Sequence, residues 1–189
     1  MGHFVGVRGE GDALEALAGD LKLFGPAGGE PEWLVGGVWL CTAAAHYLAT
    51  SSIEVLPDGQ VARPLNIGTA QDLVEAIEAD LPDVNGRLVA RGSDLRLDEV
   101  PPPRAPGSLQ RWPAEPYSTS VLVRSSQRGS DFNRVACGLL FRSEARRTLL
   151  VGTDVSSLAM VLSEDAELIE RYCAGCDALS VADYLELGS

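Results

Sequence analysis

The proline-rich segment 99–116, EVPPPRAPGSLQRWPAEP, is the strongest constraint that this sequence places on its fold. It holds six of the eleven prolines in the 189-residue chain. Proline fixes the backbone angle φ and has no amide hydrogen to donate, so helices and central strands do not continue through such a segment. We therefore expect a linker or loop between an N-terminal half, 1–98, and a C-terminal half, 117–189, as two units or one continuous domain. Trp112 is expected to anchor this loop onto the core or to mark a partner-binding surface.

The N-terminal half alternates strand and helix patterns. The stretch 53–65, IEVLPDGQVARPL, predicts a hairpin, because Pro-Asp-Gly supplies a turn between two apolar runs. Residues 69–82 predict a helix, and residues 11–19 predict a shorter one. The stretch 33–50 fits either a helix or a buried strand, since its alanine run favours the first, and its Trp-Leu-Val start and glycine pair favour the second.

The C-terminal half predicts three consecutive antiparallel strands and a helix. The strands are expected at 117–126, 132–142 and 147–154, where apolar and β-branched residues recur. The helix follows from about residue 164, with Ser163 as its N-cap. The final stretch, LSVADYLEL, fits a short helix capped by Ser180 or a strand. The whole pattern predicts an α+β fold with predominantly antiparallel sheets and a few packed helices.

Charge is distributed unevenly along the acidic chain, whose formal net charge is −12. Residues 1–100 carry 16 acids against 6 bases, and residues 161–189 carry 7 against 1. Residues 101–160 reverse the balance, with 8 arginines against 4 acids. Such a charge excludes nucleic-acid binding through phosphate contacts, and it favours association with a basic protein.

Candidate ligand- or partner-binding residues follow from these charge blocks. Arginines on alternating strands are expected to share a sheet face that holds an acidic partner or an anion, or that pairs with the protein's own acids. Acids of the predicted helix at 69–82 are expected to face a basic partner. The full set of candidates is Glu75, Glu78, Asp80, Trp112, Arg124, Arg128, Arg142, Arg146 and Arg147.

Two cysteines in the stretch ERYCAGCDAL have the spacing Cys173-x-x-Cys176. Redox cysteines of this spacing lie at helix N-termini, where the helix dipole stabilises the thiolate. Here the pair is expected at a helix C-terminus, with Cys173 packed in the core and Gly175 in the left-handed conformation. A tetrahedral metal site would need Cys41 and His46 as further ligands, and their spacing is uncommon. We therefore expect slow-reacting thiols, no metal and no cofactor.

The functional expectation rests on the absence of the usual catalytic motifs. The sequence has no nucleophile elbow, P-loop, dinucleotide fingerprint or zinc-protease motif, and only two histidines. It also lacks a signal-peptide pattern and an apolar run long enough for a membrane span. The favoured function is a small, acidic, cytoplasmic binding protein of the inhibitor or immunity type. The alternatives are an enzyme or anion binder using the arginine face, and a structural or homodimeric subunit.

Overall fold

The computed structural model describes residues 3–7, 11–17, 20–26, 32–34, 38–42, 46–69, 109–111, 115–128, 131–155 and 160–188. These residues form mostly antiparallel strands and three packed helices, which confirms the predicted α+β class. The strands are β1 (His3–Val5), β2 (Asp20–Pro26), β3 (Glu32–Leu34), β4 (Val38–Thr42), β5 (His46–Ser51), β6 (Glu54–Val55), β7 (Val61–Ala62), β8 (Leu65–Thr69), β9 (Leu109–Arg111), β10 (Glu115–Arg128), β11 (Asp131–Ser143), β12 (Thr148–Thr153), β13 (Met160–Ser163) and β14 (Asp177–Ser180). The helices are α1 (Gly11–Leu17), α2 (Ala166–Cys173) and α3 (Val181–Gly188).

Twelve of the described strands belong to one sheet. Its strand order is β3-β13-β12-β11-β10-β2-β4-β5-β8, and β1, β14 and β9 pair beside this path with β11, β10 and β2. The pairing of β1 with β11 is parallel, and all other pairings among the described strands are antiparallel. Strands from both sides of 99–116 pair within this sheet. Most of that segment lies outside the described residues, so the predicted division into halves stays a prediction.

The predicted strands of the C-terminal half are confirmed as β10, β11 and β12. The register of β10 and β11 runs from Tyr117 opposite Ser143 to Arg128 opposite Asp131. Along β10 the side chains of Tyr117 and Thr119 are buried and that of Ser118 is exposed, as expected for a strand that covers a core with one face.

Two hydrophobic clusters lie on the two faces of the β10–β13 strands, because neighbouring residues of a strand point in opposite directions. The larger cluster combines one sheet face with β4, β5, β8 and the helices α1 and α3; its members include Leu14, Leu17, Leu40, Ile67, Val121, Leu139, Phe141, Val151, Leu162 and Tyr184. The smaller cluster takes the alternate positions and α2, with members Leu122, Cys137, Leu140, Leu150, Val161, Leu168 and Ile169. Both faces of this part of the sheet are therefore covered by protein.

The N-terminal predictions have mixed outcomes. The hairpin is confirmed by the pairing of β6 with β7, and Gly59 adopts the positive φ of 79° that its turn requires. The stretch 33–50 contains the strands β3, β4 and β5 rather than a helix, so the strand alternative is correct. The helix at 11–19 is confirmed as α1, whereas the predicted helix at 69–82 lies almost entirely outside the described residues.

The two C-terminal helices begin at polar caps. Asp165 caps α2 by accepting a hydrogen bond from the Leu168 amide at 2.7 Å, so the predicted Ser163 cap is wrong. Ser163 Oγ instead accepts a hydrogen bond at 3.0 Å from the amide of Asp165, the residue that caps the helix. Ser180 caps α3 as predicted, because its Oγ accepts from the Asp183 amide at 3.1 Å.

No helix among the described stretches combines the length and the apolar composition that a bilayer span requires.

We predict that Tyr184→Phe destabilises the protein, because it removes a buried contact between the two ends of the chain. The Tyr184 hydroxyl accepts a hydrogen bond from the Val7 amide at 2.8 Å. An unpaired buried amide costs about 1–3 kcal/mol, so urea denaturation should show a loss of that size. Leu187→Gln, at an exposed position of the same helix, is the control and should change stability by no more than about 0.5 kcal/mol. Equal effects of the two substitutions would contradict this account of Tyr184.

Candidate functional site

The predicted arginine residues have different surroundings. Arg142 and Arg146 are exposed, and Arg147 donates two hydrogen bonds to Glu164 Oε1 at 2.7 and 3.1 Å. An exposed ion pair of this kind contributes little stability. Arg124 is half-buried, and its guanidinium lies beside Cys176 and over the ring of Tyr172. The side chain of Arg128 lies outside the described part, so a shared arginine face stays a prediction.

The remaining predicted site residues are mostly not described. Glu75, Glu78, Asp80 and Trp112 lie outside the described residues. The metal candidates Cys41 and His46 are paired in the register of β4 and β5, and their side chains are not described. Within the described ranges, no three His, Cys, Asp or Glu residues are grouped as metal ligands.

The side chains of Cys137 and Cys176 meet at the sheet face that α2 covers. Their sulfur atoms are 3.6 Å apart, within hydrogen-bond distance for thiols. Cys137 is buried in the sheet, whereas Cys176 is half-buried after α2. These two residues are called the thiol pair below. Sequence spacing drew attention to Cys173 and Cys176, but the hydrogen-bonded partner of Cys176 lies 39 residues away.

A β-bulge aims Cys137 at this face. The register of β10 and β11 steps from Leu122 opposite Gly138 to Val123 opposite Ala136, so Cys137 is one extra residue in β11. Such an insertion breaks the strict alternation of side chains and redirects the residue within it. Cys137 therefore joins the cluster under α2, and its Sγ also lies 3.5 Å from the Leu122 carbonyl oxygen.

The end of α2 brings Cys176 to its partner. The Ala174 amide donates to the Glu170 carbonyl, and the Cys176 amide donates to the Cys173 carbonyl, both at 2.9 Å. This turn closes without a left-handed residue, so the predicted positive φ of Gly175 is wrong. The chain then enters β14, whose antiparallel pairing with β10 holds Asp177 opposite Val123. The turn and the pairing of β14 thus place Cys176 next to Cys137.

Tyr172 anchors α2 to the sheet beside the thiol pair. Its hydroxyl accepts from the Thr153 amide at 3.0 Å and lies 2.9 and 2.8 Å from the carbonyl oxygens of Cys137 and Thr153. The close approach requires a glycine at 152, because a Cβ there would lie 2.6 Å from the hydroxyl. Burial raises the pKa of Tyr172, so this hydroxyl stays protonated and donates to one of the two carbonyls.

Arg124 supplies the positive charge of the site. One terminal nitrogen of its guanidinium is 3.9 Å from Cys176 Sγ, and its Cζ lies 5.7 Å from the centre of the Tyr172 ring. Arginine stays charged at any physiological pH. The guanidinium therefore faces a sulfur atom and an aromatic ring, both of which interact favourably with a cation.

The pKa values of the two thiols are shifted in opposite directions. The hydrogen bond with Cys137 and the charge of Arg124 lower the pKa of Cys176 to about 6, although burial and Asp177 act against them. The same hydrogen bond and burial raise the pKa of Cys137, and burial raises the pKa of Cys173. These two directions favour an arrangement in which Cys137 keeps its proton and donates to a Cys176 thiolate. A thiolate is the reactive form of cysteine.

The thiol pair was missed because its members are distant in sequence. One local signal was available: the run VACGLLF interrupts an otherwise alternating strand with a glycine next to a cysteine. An isolated glycine in a strand is typical of a bulge or a close backbone approach. That signal indicates a redirected Cys137 but not its partner.

No protein-family model, no curated protein and no solved structure matches the chain significantly. What can be inferred about the chemistry of the thiol pair therefore rests on three observations. They are the 3.6 Å contact between the sulfur atoms, the guanidinium beside one of them, and the opposite shifts of the two pKa values.

We predict that alkylation of Cys176 persists at lower pH than that of Cys173. A thiolate is lost as pH falls through its pKa. The alkylation rate of Cys176 should therefore fall only near about pH 6, whereas that of Cys173 should fall well above that pH. Iodoacetamide rates for each cysteine, read by peptide mass spectrometry across pH, give both profiles. Cys137→Ala removes the hydrogen-bond donor and should move the Cys176 profile to higher pH. Identical profiles for Cys173 and Cys176 would contradict the assignment.

Proposed function

We propose that the protein is a thiol redox protein, in which the thiol pair alternates between a dithiol and a disulfide. The observation that carries this proposal is the 3.6 Å contact between Cys137 Sγ and Cys176 Sγ, supported by Arg124 next to the latter. A thiolate and a protonated thiol held in contact are the reduced form of such a pair.

The geometry requires only a small movement for the bond to form. A disulfide has a sulfur–sulfur distance of about 2.05 Å, so the two atoms must approach by about 1.5 Å. Cys137 is fixed inside β11, between β10 and β12. Cys176 lies in a turn of three residues between α2 and β14, so it is the member that moves.

The exchange reaction assigns a separate role to each sulfur. The Cys176 thiolate attacks one sulfur of a small disulfide RSSR, forms a mixed disulfide and releases RS⁻. Cys137 gives its proton to the released thiolate and attacks Cys176 Sγ, which closes the internal disulfide and expels the second RS⁻, protonated by solvent. Two protein thiols are oxidised and one RSSR is reduced to two RSH. The reverse sequence restores the dithiol.

We predict one internal disulfide, between Cys137 and Cys176, when the protein equilibrates with oxidised dithiothreitol. Its formation removes two hydrogen atoms from the mass, and non-reducing peptide mapping identifies the linked residues. Cys173→Ser should form the same disulfide, because Cys173 does not belong to the thiol pair. Cys137→Ser should form no disulfide with Cys176.

Two results of the peptide mapping would contradict the proposal. A Cys173–Cys176 link in the wild-type protein, or no internal disulfide at any ratio of oxidised to reduced dithiothreitol, overturns it. Far-ultraviolet circular dichroism of each serine variant shows whether the fold is retained, so a missing bond is not confused with an unfolded chain.

A second candidate function is the sequence-based one: a small binding protein of the inhibitor or immunity type with a basic macromolecular partner. One structural observation favours it. Every acid between residues 161 and 188 is exposed, and the basic residue of that region is Arg171. These acids are Glu164, Asp165, Glu167, Glu170, Asp177, Asp183 and Glu186. Because α2 and α3 cover opposite faces of the sheet, the acids of α2 and of the residues before it are the ones that can present several like charges to a basic partner during encounter.

We predict that Glu167→Lys with Glu170→Lys slows association with a co-purified basic partner and leaves stability nearly unchanged. Both positions are exposed on α2, and steering acts mainly on the association rate. That rate should also fall as salt is raised, since screening beyond about 10 Å is strong at roughly 0.1 M. Arg142→Ala, at an exposed position of β11, is the discriminating variant. If it abolishes binding while the acid reversals have no effect, an arginine-based anion site replaces this candidate.

A further inference from the structure

We propose that the oxidant of the thiol pair is a hydroperoxide, with Cys176 as the attacking sulfur, Arg124 as the group that receives the departing oxygen, and Cys137 as the resolving thiol. This inference rests on the proposed thiol redox function, and it adds the chemical class of the substrate. Nothing in the sequence motifs pointed to it.

The acids near Cys176 favour a neutral oxidant over an anionic one, although the guanidinium of Arg124 offsets part of their charge. Asp177 is the next residue and opposes formation of the Cys176 thiolate by its negative charge. Glu170 and Asp177 are exposed close to the turn in a chain of net charge −12. The net negative charge of the chain disfavours the approach of anionic oxidants, such as glutathione disulfide or peroxynitrite. Hydrogen peroxide and small alkyl hydroperoxides are neutral, so they approach without this penalty.

The position of Arg124 suits the cleavage of an oxygen–oxygen bond. When a thiolate attacks one oxygen of ROOH, the other departs as an alkoxide or hydroxide, and charge moves from sulfur to that oxygen. Arg124 has five N–H donors and directs one terminal nitrogen towards Cys176 Sγ. The guanidinium that stabilises the thiolate is therefore close to the developing oxyanion, where charge-assisted hydrogen bonds are strong.

The steps balance with the groups that are present. Cys176 S⁻ attacks ROOH, forming an S–O bond as the O–O bond breaks, and gives Cys176 SOH and RO⁻. The Cys137 thiol gives its proton to RO⁻, which leaves as ROH. The Cys137 thiolate then attacks the sulfenic sulfur, forms the disulfide and expels hydroxide. One hydroperoxide gains the two electrons that the thiol pair loses, and a dithiol reductant restores the pair.

Tyr172 and Cys173 complete the surroundings of the reacting sulfur without taking part. The Tyr172 carbonyl oxygen lies 3.5 Å from Cys176 Sγ. The Tyr172 hydroxyl is within hydrogen-bond distance of the backbones of Thr153 and Cys137. Burial raises the pKa of the Cys173 thiol, so Cys173 stays protonated near neutral pH. Cys173 therefore serves as an internal reference thiol three residues from the reacting one.

The test is the rate at which hydrogen peroxide oxidises each cysteine of the reduced full-length protein. Dimedone traps the sulfenic acid, and Cys137→Ser keeps it from being resolved. We expect Cys176 to react at least about tenfold faster than Cys173 near pH 7, because its thiolate is the populated one. In the wild-type chain the product should be the Cys137–Cys176 disulfide. Equal rates for the two cysteines overturn the hydroperoxide proposal.

A second measurement separates the role of Arg124 from its effect on thiolate formation. At about pH 9.5 the Cys176 thiolate is formed in both the wild type and Arg124→Gln. There the variant should lose roughly tenfold or more in the hydrogen peroxide rate, the effect of one lost hydrogen bond to a charged group. Its iodoacetamide rate should change little, and Arg124→Lys should keep part of the peroxide rate. If both reagents slow by the same factor in Arg124→Gln, Arg124 does not receive the departing oxygen.

These results are distinct from those that test the thiol pair itself. If oxidised dithiothreitol forms the Cys137–Cys176 disulfide but hydrogen peroxide reacts with Cys176 no faster than with Cys173, the redox function stands and the hydroperoxide proposal fails. If neither oxidant links the two residues, both fail.

Discussion

The pairing of β10 with β11 is the interaction on which the rest of the described structure depends. Its register is continuous except at Cys137, and both strand faces are covered, one by the larger core and the other by α2. The single extra residue costs one regular pair, yet it places a thiol on the face where α2 ends. In a regular ladder the side chains would alternate strictly between the two sheet faces, and that alternation alone would decide which face this side chain points to. The site is therefore a consequence of one local irregularity in an otherwise regular hairpin.

The hydroxyl of Tyr172 attaches α2 to the sheet beside this irregularity. A single buried group connects α2 to the backbone of β11 through Cys137 and to β12 through Thr153. Buried polar groups stabilise a structure only when they are hydrogen-bonded, and here both the donor and the acceptor capacity of the hydroxyl are used. The absence of a side chain at Gly152 is what allows the approach. The distance between the two sulfur atoms is thus set by contacts that lie outside the thiol pair.

Local sequence patterns were sufficient for most of the described elements. Alternation predicted the strands of the C-terminal half, and turn residues predicted the hairpin around Gly59. The stretch 33–50 was undecided because a short apolar run has no period of its own, and its pairing with distant strands makes it β. The thiol pair is non-local in the same sense: a spacing of two residues is visible in a sequence, but a contact across 39 residues is not. The spacing of Cys173 and Cys176 therefore indicates Cys176 but not its neighbour Cys137.

The electrostatics of the site run against those of the whole chain. A net charge of −12 raises the free energy of any further negative charge, so a thiolate at Cys176 depends on its immediate neighbours. The hydrogen bond from Cys137 and the charge of Arg124 both require contact distances, and both weaken if the turn after α2 shifts. The proposed disulfide would remove this thiolate, and with it the negative charge that lies 3.9 Å from the Arg124 guanidinium.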